Sequence, residues 1–437
     1  MKVKLLYGRD EIELSVPDDA VIYKSRYPEK KKCDSELVLE SVRNPVASKP
    51  LTELLKKRSK GEVAVVVSDI TRPIPYSRFL PELLREIESA NVAKKDIVII
   101  VATGMHRFST FEERIEMFGK DIVGDYMIID HDAESESGLV ELPGKSWSGS
   151  RVKINRRFAE AGFKITTGLV EPHFMAGFSG GRKAVCPGLS SLETVRKFHG
   201  YEFLSSPLAC NGNLKGNPCH LESLSVAKLA KVDFSLNVIL NNERQLVKAF
   251  AGGLDEAHLE ACEFVSGCSC PKVVQEADIA VTSCGGYPLD ATFYQCVKGI
   301  VSCLPAVKEN GTVISFGSCL EGVGGPEYHG IMVKYSGRWR DFLRDIRDAS
   351  AFIKDQWEMQ MHCRALEKVG EENLHFMTGG LPKDTIAKLS VNGAFANNKE
   401  LRETVQGVLD GSLKKGMKVA IFPEGPYCAP VKAEGNR

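Results

Sequence analysis

The chain lacks an excess of charge of either sign. Lysine plus arginine and aspartate plus glutamate stand at 57 each, so the formal net charge is zero. A nucleic-acid or membrane-surface partner usually requires a basic surplus, which is missing here. Long apolar runs are missing too, and nothing approaches the roughly 18 residues of a membrane helix. The opening MKVKLLYGRDEIELSVP alternates apolar and polar residues like a strand, without the apolar core and cleavage site of a secretory signal. Metal-site signatures are also scarce. There is no H-E-x-x-H, and GCSC (Gly267 to Cys270) has no second cysteine pair at zinc-finger spacing. A conventional zinc hydrolase therefore has little support. Low-complexity tracts and short repeats are absent as well.

What remains is an ordinary globular composition, 43% hydrophobic and 26% charged over 437 residues, which is long for one core. Thirteen cysteines, an odd number, fit thiols buried as small hydrophobes in a reducing compartment. The expected location is the cytoplasm.

Short apolar runs alternate with helical patterns, which predicts an α/β fold: two domains with largely parallel sheets flanked by helices, and an active site in the interdomain cleft. Strands are expected at Glu62 to Asp69, Asp96 to Gly104 and Phe163 to Val170. FLPELLREIESA reads as an amphipathic helix, and Thr110 with Glu113 has capping-box spacing. After GCSCPKVV a second strand–helix–strand series begins, followed by a long helical region from about Trp339 to Val369. The expected domains are 1–270, then 271–410, with 411–437 as a strand and tail able to return to the first domain.

Polar clusters sit just past the ends of the first three strands, where open α/β sheets bind ligands. In SDITRPIP, Asp69 and Arg72 precede stiffening prolines, and an arginine there can grip carboxylate or phosphate. In ATGMHR, His106 supplies an imidazole, the side chain most often used for proton transfer, or else a structural hydrogen bond. In EPHFMAGFSGGRKAVCPG, four glycines surround His173 and Lys183. This is not a P-loop, because Arg182 separates Gly181 from Lys183 and Ala184 stands where a hydroxyl is needed. Lys183 can be a point charge or a nucleophile. His199 has no partner histidine at helical spacing, so a metal there needs donors from elsewhere. In YPLDATFYQCVKG, Gln295 and Lys298 share a helix face.

Taken together, DITRP (Asp69 to Pro73), GMHR (Gly104 to Arg107), PHFMAGFSGGRKAVCPG (Pro172 to Gly188), His199 and YQCVKG (Tyr294 to Gly299) resemble the nickel-pincer-nucleotide lactate racemase family, in order and over about residues 60 to 360. The resemblance implies an isomerase, a racemase or epimerase of a 2-hydroxy acid. It implies a Ni(II)-pyridinium-3,5-bisthiocarboxylic acid mononucleotide attached covalently to Lys183, with His199 as the protein ligand to nickel. Asp69, Ile70, Thr71 and Arg72 would contact that cofactor. His106 and His173 would serve as acid and base during reversible hydride transfer through a 2-keto acid. Arg72, Tyr294, Gln295, Lys298 and Trp357 would bind substrate. Cofactor-biosynthesis proteins become expected partners, while nucleic acid and membrane do not. The identity of the hydroxy acid and the oligomeric state stay open. A non-catalytic nucleotide- or cofactor-carrying protein is the alternative, but it would not need both histidines.

Overall fold

The computed structural model describes residues 1–348 and 352–432. The chain divides into two compact units, neither continuous in sequence. One holds Tyr27–His199 and Asn213–Val265; the other holds Met1–Arg26, Gly200–Gly212 and the chain from Ser266 onward.

In the first unit six strands form one sheet: β1 (Val63–Ser68), β2 (Ile97–Ala102), β3 (Met127–Asp130), β4 (Phe163–Leu169), β5 (Phe234–Leu240) and β6 (Leu246–Gly252). The VAVVV of β1 and IVIIV of β2 are buried on both faces, as central parallel strands require. Helix α1 (Tyr76–Ser89) lays Tyr76, Phe79, Leu80, Leu83, Leu84 and Ile87 on this core at helical spacing. Each such fully buried side chain stabilises the fold by about 1.5–3 kcal/mol. Helix α2 (Phe111–Phe118) starts at the expected capping box, with Thr110 and Glu113 bonded in both directions.

The strand order is β3-β2-β1-β4-β5-β6, and only β6 runs antiparallel. Sequence order therefore reverses between β1 and β4. At such a point the connections leave in opposite directions, and a crevice opens at the carboxyl ends of the strands.

The second unit contains β7 (Ala277–Ser283), β8 (Val307–Phe316), β9 (Leu374–Thr378), β10 (Asn392–Phe395) and β11 (Val419–Phe422), all parallel in the order β10-β9-β8-β7-β11. Here the structure departs from the expected domains. The last strand stays in this sheet instead of returning to the first domain. All four residues of β11 are buried, so it needs neighbours on both sides, and it has β7 on one and the short strand Val21–Ile22 on the other. It is the N-terminal segment that crosses over. The alternating hairpin Lys2–Tyr7 and Asp10–Ser15 buries Leu5, Ile12 and Leu14 in the same core as Ile279, Val281 and Ile421. The long helical region is likewise interrupted: Trp339–Asp345 and Gln356–Val369 are separate helices, and residues 349–351 lie outside the described residues. No helix among the described residues is long and apolar enough to cross a membrane.

Candidate active site

The loop after β1 carries Asp69, Ile70, Thr71 and Arg72. Its start is held by the Ser68 N–H, which donates to Tyr76 Oη at 2.7 Å. Asp69 is buried, 6% exposed, and receives Thr71 Oγ1 on Oδ1 at 2.6 Å. Its Oδ2 faces His106 Nδ1 at 2.5 Å. Burial alone would raise the Asp69 pKa, but the hydrogen bonds from His106 and Thr71 and the charges of His106 and Arg72 outweigh it. The carboxylate accordingly lies below its ordinary value. Ile70 packs against the sheet core, so this residue would meet a ligand through its backbone. The half-buried Arg72 guanidinium makes no hydrogen bond or ion pair with another described side chain. A cation placed this way is suited to an incoming anion.

His106 lies in the loop after β2, its ring about half exposed at 48%. Gly104 takes φ +57°, a left-handed conformation natural to glycine. Its N–H donates to the Gly188 carbonyl at 3.0 Å, which ties this loop to the glycine-rich loop that follows β4.

That third loop begins with a minimal hairpin in which Pro172–His173 pairs with Gly177–Phe178. Its glycines serve close packing more than an open phosphate cradle. A Cβ at Gly177 would come within 2.2 Å of the Asn213 carbonyl, and one at Gly181 within 2.6 Å of the His258 ring. Lys183 rides on the 3-10 turn Gly181–Ala184, with Nζ 3.3 Å from His173 Nε2 and over the Phe198 ring at 5.1 Å. Burial, then the charges of Arg72 and Arg182, push its pKa down to about 7. An amine in that range is available as a nucleophile near neutrality. His199 caps the C-terminus of α3 (Leu192–Phe198), its ring edge-on to Phe198 at 4.8 Å. Burial and the nearby charges of Lys183, His106 and Arg72 hold it well below its ordinary value, hence neutral.

Three supports of this loop escaped sequence reasoning. Asn217, the N-cap of α4 (Pro218–Leu229), donates through Nδ2 to the Met175 carbonyl at 2.9 Å. Arg182 is fully buried; it bonds His258 Nε2 at 2.7 Å through Nη1 and donates to the Ala176 carbonyl at 2.8 Å through Nη2. Asn237 Oδ1, on β5, accepts the Gly181 N–H at 2.9 Å. The only sequence signal was a polar residue inside an apolar strand, FSLNVIL, at Asn237.

In the second unit, α5 (Phe293–Cys303) starts at Thr292, whose hydroxyl caps the Gln295 N–H. Tyr294, Gln295 and Lys298 therefore occupy its first two turns. Trp357, at the start of α6 (Gln356–Val369), is buried and donates from Nε1 to Tyr294 Oη at 2.9 Å. Gln295 Oε1 is buried with no hydrogen-bond partner among the described residues, a polar atom shaped to receive a ligand. Glu358, beside Trp357, is a further residue the sequence did not flag. Burial pushes its carboxyl up to about 8, against the pull of the Lys298 charge.

Asp69, His106, Arg72, His173, Lys183 and His199 are thus assembled in one unit, on the loops beyond β1, β2 and β4. Two family models match the chain, the lactate racemase N-terminal domain over residues 7–212 and the lactate racemase C-terminal domain over residues 273–426. The lactate racemase of Thermoanaerobacterium thermosaccharolyticum is 36% identical over 370 residues, covering 83% of this chain and 85% of that one. The chain belongs to the lactate racemase family. The lactate racemase of Lactiplantibacillus plantarum is 34% identical over 400 residues, 90% of each chain. The solved lactate racemase apoprotein from T. thermosaccharolyticum superposes with a TM-score of 0.88 at 32% identity, covering 99% of this chain and 100% of that one. A crystal structure of a Thermotoga maritima protein, 17% identical with a TM-score of 0.65, covers 93% of this chain and 100% of that one and shares the fold alone. Family members with this name are isomerases, and the two-unit α/β architecture is the family's own.

Proposed function

We propose that the chain racemises a 2-hydroxy acid, with lactate the first candidate, using a nickel-pincer nucleotide bound at Lys183 and His199. The observation that carries this is the Asp69–His106 pair beside the uncommitted Arg72 at the sheet's switch point, with a lysine on the loop after β4 whose pKa burial pushes down to about 7. The residues present fit the nucleotide. Lys183 offers a nucleophile for covalent attachment and His199 a neutral imidazole, the form a metal ligand must take. Among the described residues no three His, Cys, Asp or Glu side chains gather around one metal position, which fits a metal whose remaining donors arrive with the cofactor. When bound, the group would supply an acceptor and donor for the C2 hydride, chemistry no side chain can perform.

The protein's share is orientation and proton handling. Asp69 aligns His106 and keeps its Nδ1 hydrogen, leaving Nε2 for the hydroxyl proton. His173 attends the substrate oxygen as the second member of the acid/base pair. Arg72 and Lys298 hold the substrate carboxylate, Gln295 Oε1 accepts from its hydroxyl, and Tyr294 with Trp357 shapes the apolar side. The backbone of Asp69 to Arg72 would help hold the cofactor.

The test is intact mass and nickel content of protein produced with the cofactor-synthesis machinery. Wild type should gain a covalent increment with nickel and interconvert D- and L-lactate; Lys183→Ala should gain neither mass nor nickel. A wild type that takes up nothing under those conditions overturns the assignment.

A further inference from the structure

The second unit holds a carboxyl that the proposed chemistry leaves unused. Glu358 is 1% exposed, and its Oε1 is buried with no hydrogen-bond partner among the described residues. Its side chain forms no ion pair among them either. A buried carboxylate without water or partners is unfavourable, so such a group keeps its proton. Burial accordingly raises the Glu358 pKa to about 8; the Lys298 charge pulls it down and the Asp355 charge adds to the rise.

The packing of three helices decides what this carboxyl meets. Tyr294 and Lys298 are four residues apart and share a face of α5. Trp357 donates from Nε1 to Tyr294 Oη at 2.9 Å, which docks the first turn of α6 on that face. Glu358 follows in the same turn, within reach of the Lys298 charge. From a third helix, Pro326–Lys334, Tyr328 sets its ring perpendicular to that of Tyr294 at 5.1 Å, and its buried Oη also has no partner among the described residues. The other ionisable groups of these helices are silent near pH 8. Burial holds Tyr328, Cys296 and Cys363 well above their ordinary values and lowers His362 to about 4, so all four are neutral there. Lys298 and Asp355 are the charges that bear on Glu358.

We propose that Glu358 is a positioning residue for Lys298: protonated, it leaves the Lys298 ammonium to the substrate carboxylate, and ionised, it competes with the substrate for that cation. The substrate half of this rests on the racemase reading; the protonated carboxyl does not. When Glu358 ionises, its proton goes to solvent and a second anion stands where the substrate anion must bind. Like charges disfavour one another, so bound substrate in turn holds the proton on Glu358. The fraction of enzyme ready for substrate therefore falls as pH rises through about 8. The effect belongs to KM and not to kcat, because saturating substrate restores the protonated form.

The experiment compares KM and kcat for lactate at pH 7, 8 and 9 in cofactor-loaded wild type and Glu358→Gln. Glutamine keeps the shape of a protonated carboxyl and is uncharged at every pH. Wild-type KM should rise about tenfold between pH 7 and 9, while the same ratio in Glu358→Gln stays within about twofold. Glu358→Met, equally uncharged, should be as flat, and it replaces the glutamine variant if that one does not fold. An equal rise of KM in wild type and the uncharged variants overturns the proposal. So does a fall of about 10² or more in kcat of folded Glu358→Gln, which would make Glu358 an acid/base group. Infrared difference spectra of the full chain without cofactor, wild type minus Glu358→Gln, read the carboxyl without any activity. The carbonyl band of a protonated carboxyl should be present at pH 6.5 and gone at pH 9.5, and its absence at pH 6.5 overturns the proposal. If the band titrates as expected but loaded wild type racemises no hydroxy acid, it is the racemase reading, and with it the substrate half, that falls.

Discussion

Replacing Asp69 by asparagine is expected to lower turnover by about 10²–10⁴-fold while leaving the fold intact. Asparagine is nearly isosteric, and the buried pocket that holds Asp69 needs only a side chain of that size. The chemistry changes all the same. The carboxylate can only accept, so it forces the His106 hydrogen onto Nδ1 and leaves Nε2 basic. An amide can present its NH₂ to Nδ1 instead, which would move the ring hydrogen to Nε2 and blunt the base. The amide also removes the negative charge that stabilises His106 once it is protonated. Thr71 reinforces the present arrangement: its hydroxyl donates to Oδ1 and leaves Oδ2 for the ring. The measurement is kcat of cofactor-loaded Asp69→Asn beside wild type, together with thermal melts of both. Turnover within about threefold of wild type in a folded variant would show that Asp69 does not orient the base. A loss accompanied by a large drop in melting temperature would instead assign Asp69 a structural role.

How far the site was legible in the sequence follows from which forces act locally. β1, β2 and β4 announce themselves because a strand covered on both faces is a continuous apolar run, as in VAVVV and IVIIV. The Thr110–Glu113 capping box is a contact between near neighbours and was equally readable. Since catalytic loops follow such strands, Asp69, His106, His173 and Lys183 could be singled out before any pairing was known. Strand order and unit boundaries are long-range properties. Nothing within Lys2–Ser15 says that its apolar face completes a core with Ile279 and Ile421, hundreds of residues later. The crossing of residues 200–212 was invisible for the same reason. Gln360 donates to the Tyr201 carbonyl, and Arg364 grips the carbonyls of Leu204, Ser206 and Ala209. The glycines around Lys183 were seen, but their purpose was not. Only the folded chain shows Gly177 against Asn213 and Gly181 against His258.

The other large effect concerns acid. The protein is expected to lose several kcal/mol of stability between pH 6.5 and 5, well before its carboxylates protonate. Four histidines outside the proposed chemistry, His131, His220, His258 and His362, are buried, at 1%, 6%, 1% and 0% exposure. Burial comes first among the causes that lower each of their pKa values, to about 4 for His220 and His362. In the unfolded chain each imidazole binds a proton as pH falls through 6.5, whereas the folded positions refuse it. The unfolded state therefore binds more protons, and stability falls as pH falls. For His220 and His362 the linkage amounts to about 2 kcal/mol each by pH 5. Against a typical total of about 5–15 kcal/mol, that is enough to bring acid unfolding close to pH 5. His362 offers a single-residue check. Neither of its ring nitrogens has a hydrogen-bond partner among the described residues, and its ring lies edge-on to Phe293 at 5.6 Å. An unsatisfied buried polar group costs about 1–3 kcal/mol, so His362→Met should raise stability at pH 7 by about that order and flatten the acid slope by one proton. Urea unfolding of both proteins at pH 7.5, 6.0 and 5.0 decides it. Equal stability of wild type at pH 7.5 and 5.0 would mean that the buried rings find protons or partners the folded structure does not offer them. A parallel fall in wild type and His362→Met would move the acid sensitivity onto the other three.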